Sequence, residues 1–253
     1  MILIPQIYIR DGKVMVAQAA RTSPLIHDDP VATARAMKEA GAEAIYCIDL
    51  GIPHIGASPH LPIIKRIRQE LKLTTHIGGL FRSQQAIEAY IEAGADTVAL
   101  GTLAYQQPAF LEQACKSFPE KIAVHIDVKG GRVTIPGYAV VTTKTAFDYA
   151  EQFLESGVSY IFYSDVGADG TITDKNLDNL VKFCRKVKAR IICTSEVANL
   201  ADIERISRRC APHLEGLILA KALYEDRIDL GGAIAMVSDL LLAAANESTL
   251  TET

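Results

Sequence analysis

The chain is 253 residues long, room for one large α/β domain. Hydrophobic residues make up 49 % and charged residues 22 %, ordinary for a soluble globular chain, and a net charge of −4 argues against a basic field for nucleic acid or an anionic membrane. No run approaches ~18 consecutive apolar residues, so no membrane span is expected.

The opening MILIPQIYIR is short, lacks a basic flank and alternates like a strand, unlike a signal peptide. It starts a series of strand-like runs: Ile2–Ile9, Ala44–Ile48, Thr74–Ile77, Thr97–Leu100, Ile122–Ile126, Tyr160–Tyr163, Arg190–Cys193 and Gly216–Leu219. Helix-like segments alternate with them, among them Pro30–Ala40, Gln84–Ala93, Thr145–Ser156, Asn176–Lys186 and Leu200–Arg208. Asp28 and Asp29 before Pro30 mark a helix start, and Gly41, Gly94 and Gly157 mark helix ends. Eight strands in alternation with helices predict a parallel sheet, closed as a (β/α)₈ TIM barrel. A doubly wound open sheet is the alternative that periodicity leaves standing. The barrel is expected over 1–243, with a polar tail at 244–253 whose final stretch, Asn246–Thr253, is expected to fray.

The chain also repeats itself. Ile7–Val14 matches Ile126–Val133, Asp49-Leu50-Gly51 matches Asp165-Val166-Gly167, and Leu100–Tyr105 matches Leu219–Tyr224, at offsets of 119, 116 and 119 residues. Three matches in one order describe two similar half-barrels, about 1–119 and 120–243. Equivalent positions then face each other across the mouth.

In such a barrel, chemistry gathers at the C-terminal ends of the strands. Gly78 and Gly79, with Gly101 and Thr102, offer close backbone approach and a hydroxyl to a phosphate. Arg82 beside them can bind an anion bidentately. The repeat places Thr194-Ser195-Glu196 and Ala220-Lys221 opposite, a site poorer in glycine, where Glu196 repels an anion unless Lys221 offsets it. Asp49, Asp127, Asp165 and Asp169 are carboxylates at strand ends or loops. Asp127 and Asp169 suit general acid–base work, whereas Asp49 and Asp165 fit a structural role equally well. Six histidines show no metal-site spacing, though His54 and His60 bracket a loop that reaches toward the mouth. Cys47, Cys115, Cys184, Cys193 and Cys210 show no C-x-x-C spacing, which predicts free thiols in a reduced cytoplasm and no zinc. No cofactor or metal is expected, and the expected partner is a small phosphorylated metabolite.

Taken together, these residues resemble the barrel enzymes of histidine biosynthesis, and among them the ProFAR isomerases more than the cyclases. The resemblance runs from Ile4-Pro5 and Asp11-Gly12-Lys13 through Asp28-Asp29-Pro30, Gly41-Ala42, Asp49-Leu50, Gly78-Gly79, Arg82-Ser83, Gly94-Ala95-Asp96 and Gly101-Thr102. It continues to Asp169-Gly170-Thr171 and Lys221–Glu225. It implies an aldose–ketose (Amadori) rearrangement of a substrate with a phosphate at each end. It also implies Asp169 as the acid, Ser164 near a family threonine, and Asp127 as a supporting carboxylate. The departures are as telling. Tyr8 stands where the family has its basic Asp, and a phenol is a poor substitute for a carboxylate at neutral pH. Gly51 replaces a second Asp, Leu80 a third glycine, Ser195-Glu196 a glycine pair, Ala220 a glycine and Tyr138 a covering tryptophan.

Three readings follow. The chain is an isomerase with a rebuilt base that recruits Tyr8 or Asp127. Alternatively it is a diverged enzyme acting on a singly phosphorylated ligand, or a non-catalytic binding protein on the same scaffold.

Overall fold

The computed structural model describes residues 1–15, 23–53, 58–135, 143–167 and 172–251. Eight parallel strands close into a barrel: β1 (Ile2–Arg10), β3 (Ala44–Asp49), β4 (Thr74–Gly79), β5 (Thr97–Leu100), β6 (Ile122–Lys129), β8 (Tyr160–Val166), β9 (Arg190–Cys193) and β10 (Gly216–Leu219). The last strand returns to the first, pairing Ile2 with Gly216 through Pro5 with Leu219. The open-sheet alternative is thereby excluded. Two short strands, β2 (Lys13–Val14) and β7 (Arg132–Thr134), fold back on β1 and β6 as antiparallel hairpins. Their registers are offset by 119 residues: Ile9 pairs Val14, and Val128 pairs Val133.

The helices are α1 (Pro30–Glu39), α2 (Leu61–Arg66), α3 (Gln84–Glu92), α4 (Thr102–Gln106), α5 (Pro108–Ser117), α6 (Ala146–Glu155), α7 (Asp174–Lys186), α8 (Leu200–Cys210), α9 (Lys221–Tyr224) and α10 (Leu230–Thr251). A π-helical turn, Ile67–Leu71, continues α2. Local chemistry explains their starts. Asp29 accepts the Val31 N–H ahead of Pro30, while Thr145 and Thr173 each form a capping box with the residue three positions on. Gly41, Gly94 and Gly157 close helices at positive φ, as expected. The tail expected to fray is instead helical as far as Thr251.

Strand alternation sorts the core into two layers. Inside the barrel lie Ile4, Ala44, Tyr46, Ala99, Ala123, Tyr160, Phe162, Ile192 and Ile218. Small alanines in this set leave room for the aromatic rings. The second, larger layer packs strand residues such as Ile7, Cys47, Ile77 and Ile161 against the helices.

Candidate active site at the barrel mouth

Two cavities open at the C-terminal ends of the strands, one on each side of the mouth. The first, about 670 Å³, is lined by Tyr46 and Ile48 of β3, Gly79 through Arg82 after β4, Gly101 through Leu103 after β5, and His125 and Asp127 of β6. The second, about 590 Å³, is lined by Gln6 and Tyr8 of β1, Thr194 through Val197 after β9, and Ala220, Lys221 and Tyr224 after β10. The residues singled out from the sequence therefore divide: Gly79, Arg82, Gly101, Thr102 and Asp127 share the first cavity, whereas Tyr8, Ser195 and Lys221 share the second. Asp169 and Tyr138 lie outside the described residues, as does His54.

Asp127 is half-buried, and β6–β8 pairing sets it beside Ser164. Ser164 donates its hydroxyl to Asp127 Oδ1 at 2.7 Å. Two residues earlier on the same face, His125 Nε2 lies 2.9 Å from the Tyr46 hydroxyl. Burial pushes the Tyr46 phenol far up, helped by Asp127 and Tyr8, so it stays protonated. Burial lowers the His125 pKa, against the pull of Asp127.

The glycines do different jobs. A Cβ on Gly79 would stand 2.7 Å from the Asp49 carbonyl oxygen, so the chain needs glycine there to pass β3. Gly78 is covered rather than open: a Cβ on it would meet Tyr46 Cζ at 2.8 Å. It makes room for the phenol and lines neither cavity. A Cβ on Gly101 would meet nothing within 4 Å, which leaves its backbone accessible from the cavity. Leu80, 64 % exposed, stands on the rim.

In the second cavity, the Ser195 hydroxyl is engaged with the Asp165 backbone, accepting its N–H at 3.1 Å. Lys221 Nζ sits 4.0 Å from both Glu196 and Glu225 carboxylates, so its charge is divided. The Thr194 hydroxyl is buried and makes no hydrogen bond among the described residues.

Asp49 and Asp165 prove structural. Both are buried and face away from the lumen, toward the helices. Asp49 accepts from Gly51 N–H at 2.6 Å, Ser58 Oγ at 2.7 Å, the Tyr90 hydroxyl and His60 Nδ1 at 2.8 Å. His60 Nε2 in turn accepts the Gly12 N–H at 2.9 Å, which fixes the neutral tautomer and ties the β1–β2 hairpin to β3. Asp165 accepts from Asn176 at 2.7 Å and Asn179 at 2.9 Å.

Reasoning from sequence missed Tyr46 and His125. The signal was present in the alternation of β6, because His125 shares the inward face with Asp127.

With this geometry in view, comparison with known proteins is informative. The histidine biosynthesis protein family model matches residues 2–229. The chain belongs to this family. A relative from Chelativorans sp. (strain BNC1) is 37 % identical over 239 residues, covering 94 % of this chain and 98 % of its own. One from Mesorhizobium japonicum is 35 % identical over 239 residues, covering 94 % and 97 %. One from Acinetobacter baylyi is 36 % identical over 233 residues, covering 91 % and 95 %. Each carries the name of an isomerase of a 1-(5-phosphoribosyl)-5-((5-phosphoribosylamino)methylideneamino)imidazole-4-carboxamide.

Proposed function

We propose that this histidine biosynthesis family member is an aldose–ketose isomerase of a phosphoribosylamine, with Asp127 handling its oxygen-bound proton. The observation that carries the reading is Asp127 itself, at a strand end, half-buried, held by Ser164 and facing a cavity of ligand size. Full-length similarity to named isomerases supports the substrate class. Asp169, three residues beyond the end of β8 in the sequence, is its partner in this reading.

An Amadori rearrangement needs two things from a carboxyl group. It protonates the ring oxygen as the C1–O bond breaks, leaving an iminium at C1. Later it accepts the proton of the C2 hydroxyl as the ketone forms, which restores the acid. The phosphate nearest the reacting carbons belongs in the first cavity, against the Gly79 and Gly101 backbone, the Thr102 hydroxyl and Arg82. The second cavity is the weaker anion site, because Lys221 is shared between two carboxylates. That observation also favours a second reading, a smaller ligand with one phosphate. The shared hairpin register and the paired Asp49 and Asp165 anchors support descent from a duplicated half-barrel. Five free, buried cysteines fit a reduced, cytoplasmic setting.

The test is turnover of the imidazole-carboxamide aminoaldose by purified protein. Asp127→Asn is expected to lower kcat roughly 10²–10⁴-fold. Undiminished turnover in that variant would remove Asp127 from the chemistry. Absence of wild-type turnover, with ribose 5-phosphate still bound, would select the singly phosphorylated ligand.

A further inference from the structure

Among the described residues, the barrel lumen holds two imidazoles, and they are not alike. His76 is buried, its Nδ1 2.7 Å from the Thr97 hydroxyl, with Tyr160 and Phe162 edge-on to its ring. Burial carries its pKa down to about 4. It is a satisfied core group. His125 lies on the wall of the first cavity, two residues before Asp127, with Tyr46 across from it on the same wall. Branched aliphatic side chains usually fill such layers, and burying polar groups there costs stability. A hydrogen-bonded phenol and imidazole facing ligand space therefore call for a reason other than packing. Gly78 adds to the case, since its missing Cβ is what admits the phenol.

We propose that His125 is the base of the isomerisation, taking the C2 proton and returning it to C1, with Tyr46 holding its tautomer. This deepens the isomerase reading above and rests on it. His125 takes the C2 proton, and the C2–H electron pair forms the C1=C2 bond while the C1=N pair returns to nitrogen. The imidazolium then protonates C1, and Asp127 accepts the C2 hydroxyl proton as the ketone forms. All protons are returned, and no oxidant or cofactor is consumed. When Nε2 donates to Tyr46, Nδ1 carries the lone pair. Nε2 keeps its proton on the phenol oxygen throughout, while Nδ1 takes the C2 proton and returns it to C1.

The surroundings suit a base that is neutral at rest. Burial lowers the His125 pKa, and Asp127 on its own strand stabilises the imidazolium once formed. From the other elements, β3 presents Tyr46, α4 sends the Tyr105 hydroxyl to the His125 carbonyl oxygen at 2.6 Å, and β8 presents the apolar ring of Phe162. Tyr8 on β1 acts on Tyr46, and Arg82 lines the same cavity from the loop after β4.

Two measurements test this. With the aminoaldose, His125→Gln is expected to lower kcat roughly 100-fold or more, with KM changing about twofold at most, and to abolish the acid-side fall of the pH–rate profile. Tyr46→Phe is expected to lower kcat roughly tenfold, about the worth of one hydrogen bond. A His125→Gln enzyme that keeps its kcat and pH profile while Asp127→Asn is inactive overturns the proposal and leaves the isomerase reading intact. The second measurement is nitrogen-15 NMR of the histidine rings while ribose 5-phosphate is added. A shift at His125 without one at His76 supports contact with the ligand, even in a protein that does not turn over the aminoaldose. No shift at His125 overturns it.

Discussion

Asp127 and His125 show what a single residue's neighbours decide. An acid at a strand end is readable in a linear chain, and so is its alternation with inward positions. The partner that gives His125 meaning, Tyr46, is 79 residues away, and only barrel closure brings the two together. Gly78 reads in the sequence as backbone open to a phosphate, whereas the phenol over it gives it a packing role. Gly78→Ala is expected to cost about 1–3 kcal/mol by overpacking against Tyr46, read from denaturant unfolding. Asp165 gives a pH-dependent expectation. Burial raises its pKa, and the bonds from Asn179, Asn176 and Tyr163 only partly offset this. A carboxyl raised in the folded state adds stability at acid pH that is lost as pH rises through the raised value. Asp165→Asn removes that loss. Its Tm relative to wild type is expected to improve as pH rises above the ordinary carboxylate range, and a flat difference would mean that the carboxyl titrates alike in both states.

Among the elements, caps and β-branched runs made most strands and the first turns of the helices legible. The β-strand cores at Thr97–Leu100, Arg190–Cys193 and Gly216–Leu219 coincide with the expected runs. Helices α2 and α5 were not anticipated. Pro62 and Pro108 read as breakers in a linear chain, yet each sits at the start of a helix, where a missing N–H costs nothing. The two capping boxes should differ in worth. That of α6 is exposed, and Thr145→Ala is expected to cost about 1 kcal/mol. In α7, Thr173 also holds Asn176, which binds Asp165. Thr173→Ala is expected to cost more, up to about 2 kcal/mol, because the buried carboxylate loses a positioned donor. Equal losses in chemical denaturation would show that the α7 box works alone.

At the scale of the molecule, the internal repeat was visible before any coordinates, but the division of the mouth was not. Opposed residues such as Tyr8 and Asp127 line different cavities, and the sequence alone could not say which side chains share a volume. The asymmetry of charge predicts asymmetric binding. By isothermal titration, Thr102→Val is expected to weaken inorganic phosphate about tenfold, roughly 1.4 kcal/mol, while Lys221→Ala leaves it within about twofold. The reverse order would move the phosphate to the other half.

Closure also sets an order in time. The pairing of Ile2–Pro5 with Gly216–Leu219, and the bond from the Tyr224 hydroxyl to the Gln6 carbonyl, join the first barrel strand to the last and to the short helix after it. At roughly 5–20 residues per second of synthesis, the first strand leaves the ribosome about ten to forty seconds before its last partner exists. Until then it presents an unpaired apolar edge, the kind of template on which nascent chains aggregate. Ribosome-stalled chains ending before Gly216 should accordingly need chaperone protection that chains completed past Tyr224 do not.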